Sequence, residues 1–271
     1  MRGPSIVSPV VDRVPTLLPL RAHPLARPHA WEIVAGHGPA FTVVVDVAGG
    51  PGSGRDPLWT AAMNRLDAAG VRLLGYVDVD CGTRPVADIR ADVYRWAGYP
   101  VRGVFLDRTP VSPYAIGPVA VVAQASARAG LPDVVLNPGE PPDDAYRELG
   151  LPVCVFDGSW REYRRWSGAG ARPGDGHLVH AVPPWELDEA ARLQVSRGAG
   201  FGLVTDLGAP DPYTDLPAWC GLLPGLAELA KAGEPELPTP APRRPRPFRQ
   251  LSVVRDGAAA GSAGRSTRTG S

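Results

Sequence analysis

The order of hydrophobic and polar residues along the chain predicts a parallel β-sheet. Short apolar runs rich in β-branched residues recur, and most are apolar throughout instead of alternating with polar residues. A continuous apolar run indicates a strand that is covered on both faces, as in a parallel sheet. Eight such runs are present, at residues 16–20, 41–47, 71–77, 101–107, 133–137, 152–157, 177–182 and 200–206.

Amphipathic stretches separate several of these runs and predict helices. Residues 57–70 and 85–98 begin with proline, and both of them, like residues 185–200, end in glycine. Proline in the first turn and glycine after the last turn are typical of helix ends. Eight strand–helix units in about 215 residues predict an α/β fold, a single (β/α)8 barrel of the TIM type. A doubly wound open sheet is the alternative, and the count of eight favours the closed barrel.

Composition divides the chain into three parts. We predict a flexible N-terminus over residues 1–15, the barrel over residues 16–232 and a disordered tail over residues 233–271. The tail is rich first in Pro and Arg and then in Gly, Ser and Ala, and such sequences bury too little apolar surface to fold. Its basic cluster could touch an acidic partner, but a solvated tail is the simpler interpretation.

The charge balance excludes two classes of partner. Lys and Arg together number 28, equal to Asp and Glu together, so the net charge indicates neither nucleic-acid binding nor a membrane surface. Prolines and charges interrupt the N-terminus, in which we find no signal peptide and no membrane span. We therefore expect a cytoplasmic protein, with export by another route left open. The oligomeric state is also left open.

Polar residues repeatedly occupy the positions at which predicted strands end. In a parallel barrel these ends meet at one mouth, where catalytic residues lie. One strand-ending aspartate is commonly a helix cap or a turn former. Several that converge raise one another's pKa, which suits general acid and base chemistry. No histidine accompanies them at ligand spacing, which argues against a transition metal. Their oxygen ligands would suit a hard cation, but the sequence contains no dedicated loop for one. We expect no metal and no cofactor. The residues are Asp46, Asp78, Asp80, Asp107, Asn137, Asp157 and Asp206.

Two tryptophans and a glycine-rich segment follow predicted strands and are further candidates for ligand contact. Trp160 and Trp185 follow the sixth and seventh strands, where flat aromatic faces would suit the apolar faces of a sugar ring. The alternative is that each indole packs over the start of a helix. Residues 46–57 lack the Lys-Ser/Thr of a phosphate-binding loop, and we interpret them as a loop whose backbone approaches a ligand.

The chain resembles the spherulin-4-like family, or spherulation-specific family 4, over residues 17–229. The resemblance lies in the order of six segments: VVVDVAGGPG, GVRLLGYVDVDCGTRP, VRGVFLDRTP, VVLNPGEPPDDAY, VFDG and LVHAVPP. It implies a (β/α)8 barrel and glycoside hydrolase activity on galactosaminogalactan-type polysaccharides. It also implies an Asp-Glu pair at the end of the fourth strand and a Glu at the sixth.

The chain departs from the family at both of these positions. Asp107 matches the Asp of the pair, but Arg108 stands where the family has Glu, and Asp157 is one methylene shorter than the Glu it matches. A guanidinium close to Asp107 would hold that carboxylate ionised and disfavour it as a general acid. Strand alternation would instead turn Arg108 away from Asp107.

Two functions follow from this combination. In the first, the chain is a hydrolase of an amino-sugar polysaccharide or oligosaccharide in which Asp107 and Asp157 are catalytic. The other strand-end polar residues, Arg108 and the two tryptophans would then bind the carbohydrate. In the second, the chain is a carbohydrate-binding barrel that has lost catalysis, which the missing Glu favours. The retained carboxylates support a preserved pocket in either case, and we favour the hydrolase.

Overall fold

All eight predicted strands are present in the structure, a computed structural model that describes residues 13–222. The predicted tail and most of the predicted N-terminal segment lie outside the described residues. The strands are β1 Thr16–Leu20, β2 Phe41–Val45, β3 Arg72–Asp78, β4 Gly103–Asp107, β5 Asp133–Asn137, β6 Cys154–Ser159, β7 Gly176–His180 and β8 Phe201–Val204.

Helices follow most strands, and the three predicted stretches each contain one. The connection from β5 to β6 carries only a 3-10 helix, Asp144–Leu149, in place of an α-helix. The six α-helices of the described region are α1 Pro28–His37, α2 Pro57–Ala68, α3 Val86–Trp96, α4 Ile116–Arg128, α5 Trp160–Arg165 and α6 Leu187–Ser196.

The strands form one nearly closed parallel barrel. Their order is β5-β4-β3-β2-β1-β8-β7-β6, and every pairing is parallel. The two ends of this sheet meet through a single parallel bridge between Leu136 and Val153. The predicted (β/α)8 barrel is thus confirmed, and the open sheet is excluded. Because the strands are parallel, their C-terminal ends lie at one mouth.

Close packing of α3 on β3 fixes one wall of this mouth. Gly75 is the strand residue beneath α3, and a Cβ atom there would overlap the indole ring of Trp96. The Trp96 indole N–H donates a hydrogen bond of 2.8 Å to the carbonyl oxygen of Tyr76. Trp96 is fully buried, so this contact anchors the backbone of β3 just before its polar end.

Two further properties concern residues 13–222 alone. None of their helices has the length and apolar content needed to cross a membrane. Among the same residues, no three His, Cys, Asp or Glu side chains lie together in a way that could hold a metal ion.

Candidate active site

Strand register brings three of the predicted residues side by side. Asp78 of β3 is the register partner of Asp107 of β4, which in turn is the partner of Asn137 of β5. Neighbouring parallel strands lie about 4.8 Å apart, so register partners share one level of the barrel. The carboxyl ends of three consecutive strands therefore present two carboxylates and an amide at one height.

Asn137 joins Asp107 to Asp157, the two residues that we call the acid pair. Its amide nitrogen Nδ2 donates a hydrogen bond of 2.7 Å to Asp107 Oδ1 and one of 2.9 Å to Asp157 Oδ2. An amide carries two N–H donors, and two carboxylates use both of them. Asn137 is buried, so the amide is held in place and fixes the spacing of the acid pair.

Two tyrosines complete the contacts of the acid pair. The hydroxyl of Tyr76 donates a hydrogen bond of 2.9 Å to Asp107 Oδ2, and that of Tyr213 donates one of 2.7 Å to Asp157 Oδ1. Burial and the neighbouring carboxylate raise the pKa of each phenol above its ordinary value. Both hydroxyls thus keep their protons and act as donors. We call Tyr76 and Tyr213 the tyrosine pair.

The electrostatic surroundings of Asp157 favour its protonated form. Burial raises the pKa of Asp157 above the ordinary value of a carboxyl group, and the charge of Asp107 adds to this effect. The hydrogen bonds from Asn137 and Tyr213 act in the opposite direction but do not reverse the shift. A carboxylic acid that holds its proton closer to neutral pH is suited to general acid catalysis.

Arg108 turns away from Asp107 and binds two acids at and just beyond the end of β3. Its φ of 51° lies in the left-handed region, which costs a residue other than glycine about 1 kcal/mol or more. From this position its guanidinium forms a bidentate ion pair with Asp78, and Nη1 lies 2.9 Å from Asp80 Oδ1. Of the two orientations considered from the sequence, the structure has the one in which Arg108 does not contact Asp107.

The remaining strand-end aspartates lie apart from the acid pair. Asp46 Oδ1 accepts a hydrogen bond of 2.7 Å from the backbone N–H of Gly50, within the glycine-rich loop. Its other oxygen lies 3.6 Å from Arg21 Nε. Asp206 accepts a hydrogen bond of 2.8 Å from the backbone N–H of Ala218 and so caps the start of a short 3-10 helix. The structure therefore does not bring Asp206 into direct contact with the acid pair.

The two tryptophans differ in their surroundings. Trp160 is only 2% exposed and its indole N–H donates to Glu186, so the prediction of a sugar-facing indole is wrong for this residue. Trp160 is the first residue of α5, and packing over a helix start was the alternative. Trp185 lies in the 3-10 helix after β7 and is 83% exposed, so its ring faces are available to a ligand.

The fold agrees with comparisons to known proteins. The sequence model of the family described as Spherulation-specific family 4 matches residues 16–222. The chain belongs to this family. The resemblance seen in the six sequence segments is thus confirmed.

This family 4 chain is similar to two known proteins. Spherulin-4 of Physarum polycephalum is 34% identical over 153 residues, which is 54% of this chain and 45% of that protein. The alignment thus spans less than half of Spherulin-4. The crystal structure of Aspergillus clavatus Sph3 in complex with GalNAc matches with a TM-score of 0.69 and 25% identity, over 80% of this chain and 97% of that chain.

Sequence reasoning on this family 4 chain missed Tyr76, Tyr213 and Arg21. A signal for Tyr76 was present, because it lies two residues before Asp78 in a strand and therefore on the same face. Arg21 follows directly after β1, a strand end at which the sequence indicated no candidate. Tyr213 lies in a loop 56 residues from Asp157, and no local pattern predicts that contact.

Proposed function

We propose that the chain is a glycoside hydrolase that acts on an amino-sugar polysaccharide or oligosaccharide of the galactosamine type. The acid pair, Asp107 and Asp157, would carry the chemistry at the C-terminal mouth of the barrel. The observation that supports this most is the shared amide of Asn137, which holds two carboxylates at a fixed separation. Membership of family 4 and the likeness to Sph3, whose crystal structure contains GalNAc, support the class of substrate.

The separation within the acid pair favours a retaining mechanism. One oxygen of each carboxylate lies within 2.9 Å of the same nitrogen, so these oxygens are no further apart than the sum of the two hydrogen-bond lengths. Retaining glycosidases hold their carboxyl groups about 5–5.5 Å apart, whereas inverting enzymes leave about 6.5–9.5 Å for a water molecule. The shared amide leaves no room for the wider arrangement between these two oxygens.

The surroundings of the two carboxyl groups suggest their roles. Burial raises the pKa of Asp157, so this residue would donate a proton to the glycosidic oxygen as the bond to the leaving group breaks. Asp107 would attack the anomeric carbon and form a covalent glycosyl intermediate. Ionised Asp157 would then take a proton from water, whose oxygen displaces Asp107 from the sugar and returns both groups to their starting forms.

Arg108 favours a second candidate, a carbohydrate-binding barrel without catalysis. It stands where the family has the Glu of its Asp-Glu pair, and its guanidinium is engaged by Asp78 and Asp80. Position 108, directly after β4, therefore presents a cation that two acids neutralise. The family resemblance implies a carboxyl group at this position. In this case the acid pair would accept hydrogen bonds from sugar hydroxyls or from an amino group.

Release of reducing ends from a galactosamine-containing polymer separates the two candidates. We expect the wild-type chain to release them and Asp107→Asn to lose that activity, because an amide cannot attack the anomeric carbon as a carboxylate does. Binding of GalNAc, measured by calorimetry on the same two proteins, provides the second readout. If the wild type bound GalNAc but released no reducing ends, the barrel without catalysis would be favoured. The absence of both binding and release would contradict both candidates.

Exposed Trp185 is a candidate platform for a sugar ring beside this site. Replacing it with alanine should weaken binding of the oligosaccharide by about 1 kcal/mol, the order of a carbohydrate–aromatic or other exposed aromatic contact. Tyr94→Ala is the matched control, because Tyr94 is 47% exposed but lies on helix α3. Equal losses of affinity in the two variants would argue against a platform at Trp185.

A further inference from the structure

Arg21 lies against both members of the tyrosine pair. It is the first residue after β1, which lies in the sheet next to β8 and one strand removed from β3. Its guanidinium carbon is 4.9 Å from the ring centroid of Tyr76 and 5.9 Å from that of Tyr213. These distances lie within the range of cation–π contacts, and one planar cation thereby contacts the two rings whose hydroxyls bind the acid pair.

The guanidinium is held in place by contacts on its other edges. Asp211 Oδ2 lies 3.4 Å from Arg21 Nη1, and Asp46 Oδ2 lies 3.6 Å from Nε. Asp211 also accepts a hydrogen bond of 3.0 Å from the backbone N–H of Tyr213. The backbone N–H of Arg21 donates one of 2.8 Å to the carbonyl oxygen of Tyr213. Arg21 therefore joins the end of β1 to the loop that carries Tyr213.

We infer that Arg21 is a positioning residue, which holds the tyrosine pair so that each hydroxyl points at one member of the acid pair. A tyrosine hydroxyl lies at the far end of a long side chain, so a small rotation of the ring moves it out of hydrogen-bonding range. A planar guanidinium that contacts two ring faces restricts both rotations at once. The catalytic consequence of this inference rests on the proposed hydrolase function.

Substitution of Arg21 tests this role against a matched arginine. Arg21→Met removes the planar cation while keeping a long side chain, and we expect kcat/KM to fall about 10- to 100-fold, the effect of a displacement near 1 Å at a catalytic group. Arg21→Lys, which keeps the charge but not the plane, should recover part of this loss. Arg27→Met is the control, because Arg27 pairs with Asp215 at 3.0 Å and its replacement breaks a comparable ion pair. The kcat/KM of this variant should fall less than about 3-fold. Equal losses in Arg21→Met and Arg27→Met would overturn the inference.

A double-mutant cycle separates positioning through the tyrosines from a general effect on the fold. In a chain that carries Tyr76→Phe and Tyr213→Phe, Arg21→Met should cause little further loss of kcat/KM, since no hydroxyls remain to be positioned. A loss in this background as large as that in the wild-type background would show that Arg21 acts by another route.

A crystal structure of Arg21→Met tests the inference independently of hydrolysis. We expect at least one tyrosine hydroxyl to lie beyond about 3.5 Å from its carboxylate, outside hydrogen-bonding range. Both hydroxyls in their original places would overturn the inference. If the wild type releases no reducing ends, the hydrolase proposal fails, and these distances still decide the role of Arg21. Should Arg21→Met fail to fold, Arg21→Gln, which can still hydrogen-bond to Asp46 and Asp211, allows the same measurement.

Discussion

The mouth of the barrel contains two groups of carboxylates that differ in the partners they bind. In the acid pair, Asp107 and Asp157 accept hydrogen bonds from an amide and two phenols, all of them neutral donors. At the end of β3, Asp78 and Asp80 instead bind the guanidinium of Arg108. Neutral donors orient a carboxylate without cancelling its charge, whereas a guanidinium neutralises it. Under the proposed hydrolase function, the acid pair would supply the two reacting carboxyl groups, and the other group would compensate charge.

The proton affinities of the two groups follow the same division. Burial raises the pKa of Asp157. Partial burial also opposes the ionisation of Asp78, but the hydrogen bond and charge of Arg108 outweigh it and lower the pKa of Asp78. The pKa values of two aspartates at one mouth are thus shifted in opposite directions, because Asp157 is buried among neutral donors whereas Asp78 binds a guanidinium.

Removing the carboxyl group of Asp157 should have the largest effect. We expect Asp157→Asn to lower kcat for the galactosamine-containing polymer about 10²- to 10⁴-fold, the usual contribution of a general acid or base. An amide has nearly the same shape as a carboxylate, so the circular dichroism spectrum should be unchanged. Asp78→Asn is the control and should cost less than about 10-fold, because Asp78 has no assigned proton transfer. Losses of similar size in both variants would remove the distinction between the two groups.

Replacing Arg108 with glutamate converts the second group toward the first. Arg108→Glu introduces the carboxyl group that the family resemblance implies at this position and places it beside Asp78 and Asp80, where crowding raises the pKa of at least one acid. We expect reducing-end release to rise by about 10-fold or more, within the range that an added general acid supplies. Arg108 is roughly half exposed, so the free energy of unfolding should change by no more than about 1 kcal/mol.

Arg108→Gln shows whether the new acid or the lost cation is responsible. It removes the guanidinium without adding a carboxyl group, and we expect it to leave hydrolysis near the wild-type rate. An equal rise in Arg108→Gln and Arg108→Glu would assign the effect to loss of the cation. A fall in activity in both variants would mean that Arg108 itself contacts the substrate.

The fold was predictable because its determinants are local. Apolar runs in the sequence, such as those at β2 and β5, correspond to buried strands in the structure, and the predicted ranges match the observed ones to within a few residues. The eight predicted strands then indicated a closed barrel, in which the C-terminal strand ends form one mouth. Asp107, Asn137 and Asp157 were expected at this mouth because each ends a predicted strand. The connection between β5 and β6 is an exception, because its polar, proline-containing sequence forms only a 3-10 helix.

The details of the site depend on side-chain directions that local patterns do not contain. Position after a strand placed Trp160 near the mouth but did not predict that its indole points into the core. The orientation of Arg108 depends on a φ of 51°, which no feature of a non-glycine residue indicates beforehand. The contact of Tyr213 with Asp157 joins a loop after β8 to β6, and only the closed barrel brings these segments together.

The smallest predicted effect is on stability, and it has opposite signs in the two groups. The folded-state pKa of Asp157 lies above its unfolded value, so ionisation of this carboxyl group opposes folding once the pH exceeds the unfolded value. Asp157→Asn removes that cost, so its free energy of unfolding should increase relative to that of wild type as the pH rises from 3 to 7. The folded-state pKa of Asp78 lies below its unfolded value, so its contribution is present near pH 7 and is lost as the pH falls through the folded-state pKa. Over the same rise in pH, the free energy of unfolding of Asp78→Asn should accordingly decrease relative to that of wild type, by up to about 1 kcal/mol for a partly exposed ion pair.

Urea unfolding of the three proteins at both pH values measures these differences. Taking the change between pH 3 and pH 7 cancels any pH-independent effect of the amide on packing or hydrogen bonding, so the two variants should diverge from wild type in opposite directions. If both differences moved in the same direction, the two groups of carboxylates would share one electrostatic environment. Their division into a reacting pair and a charge-compensated group would then be wrong, although their hydrogen-bond partners differ.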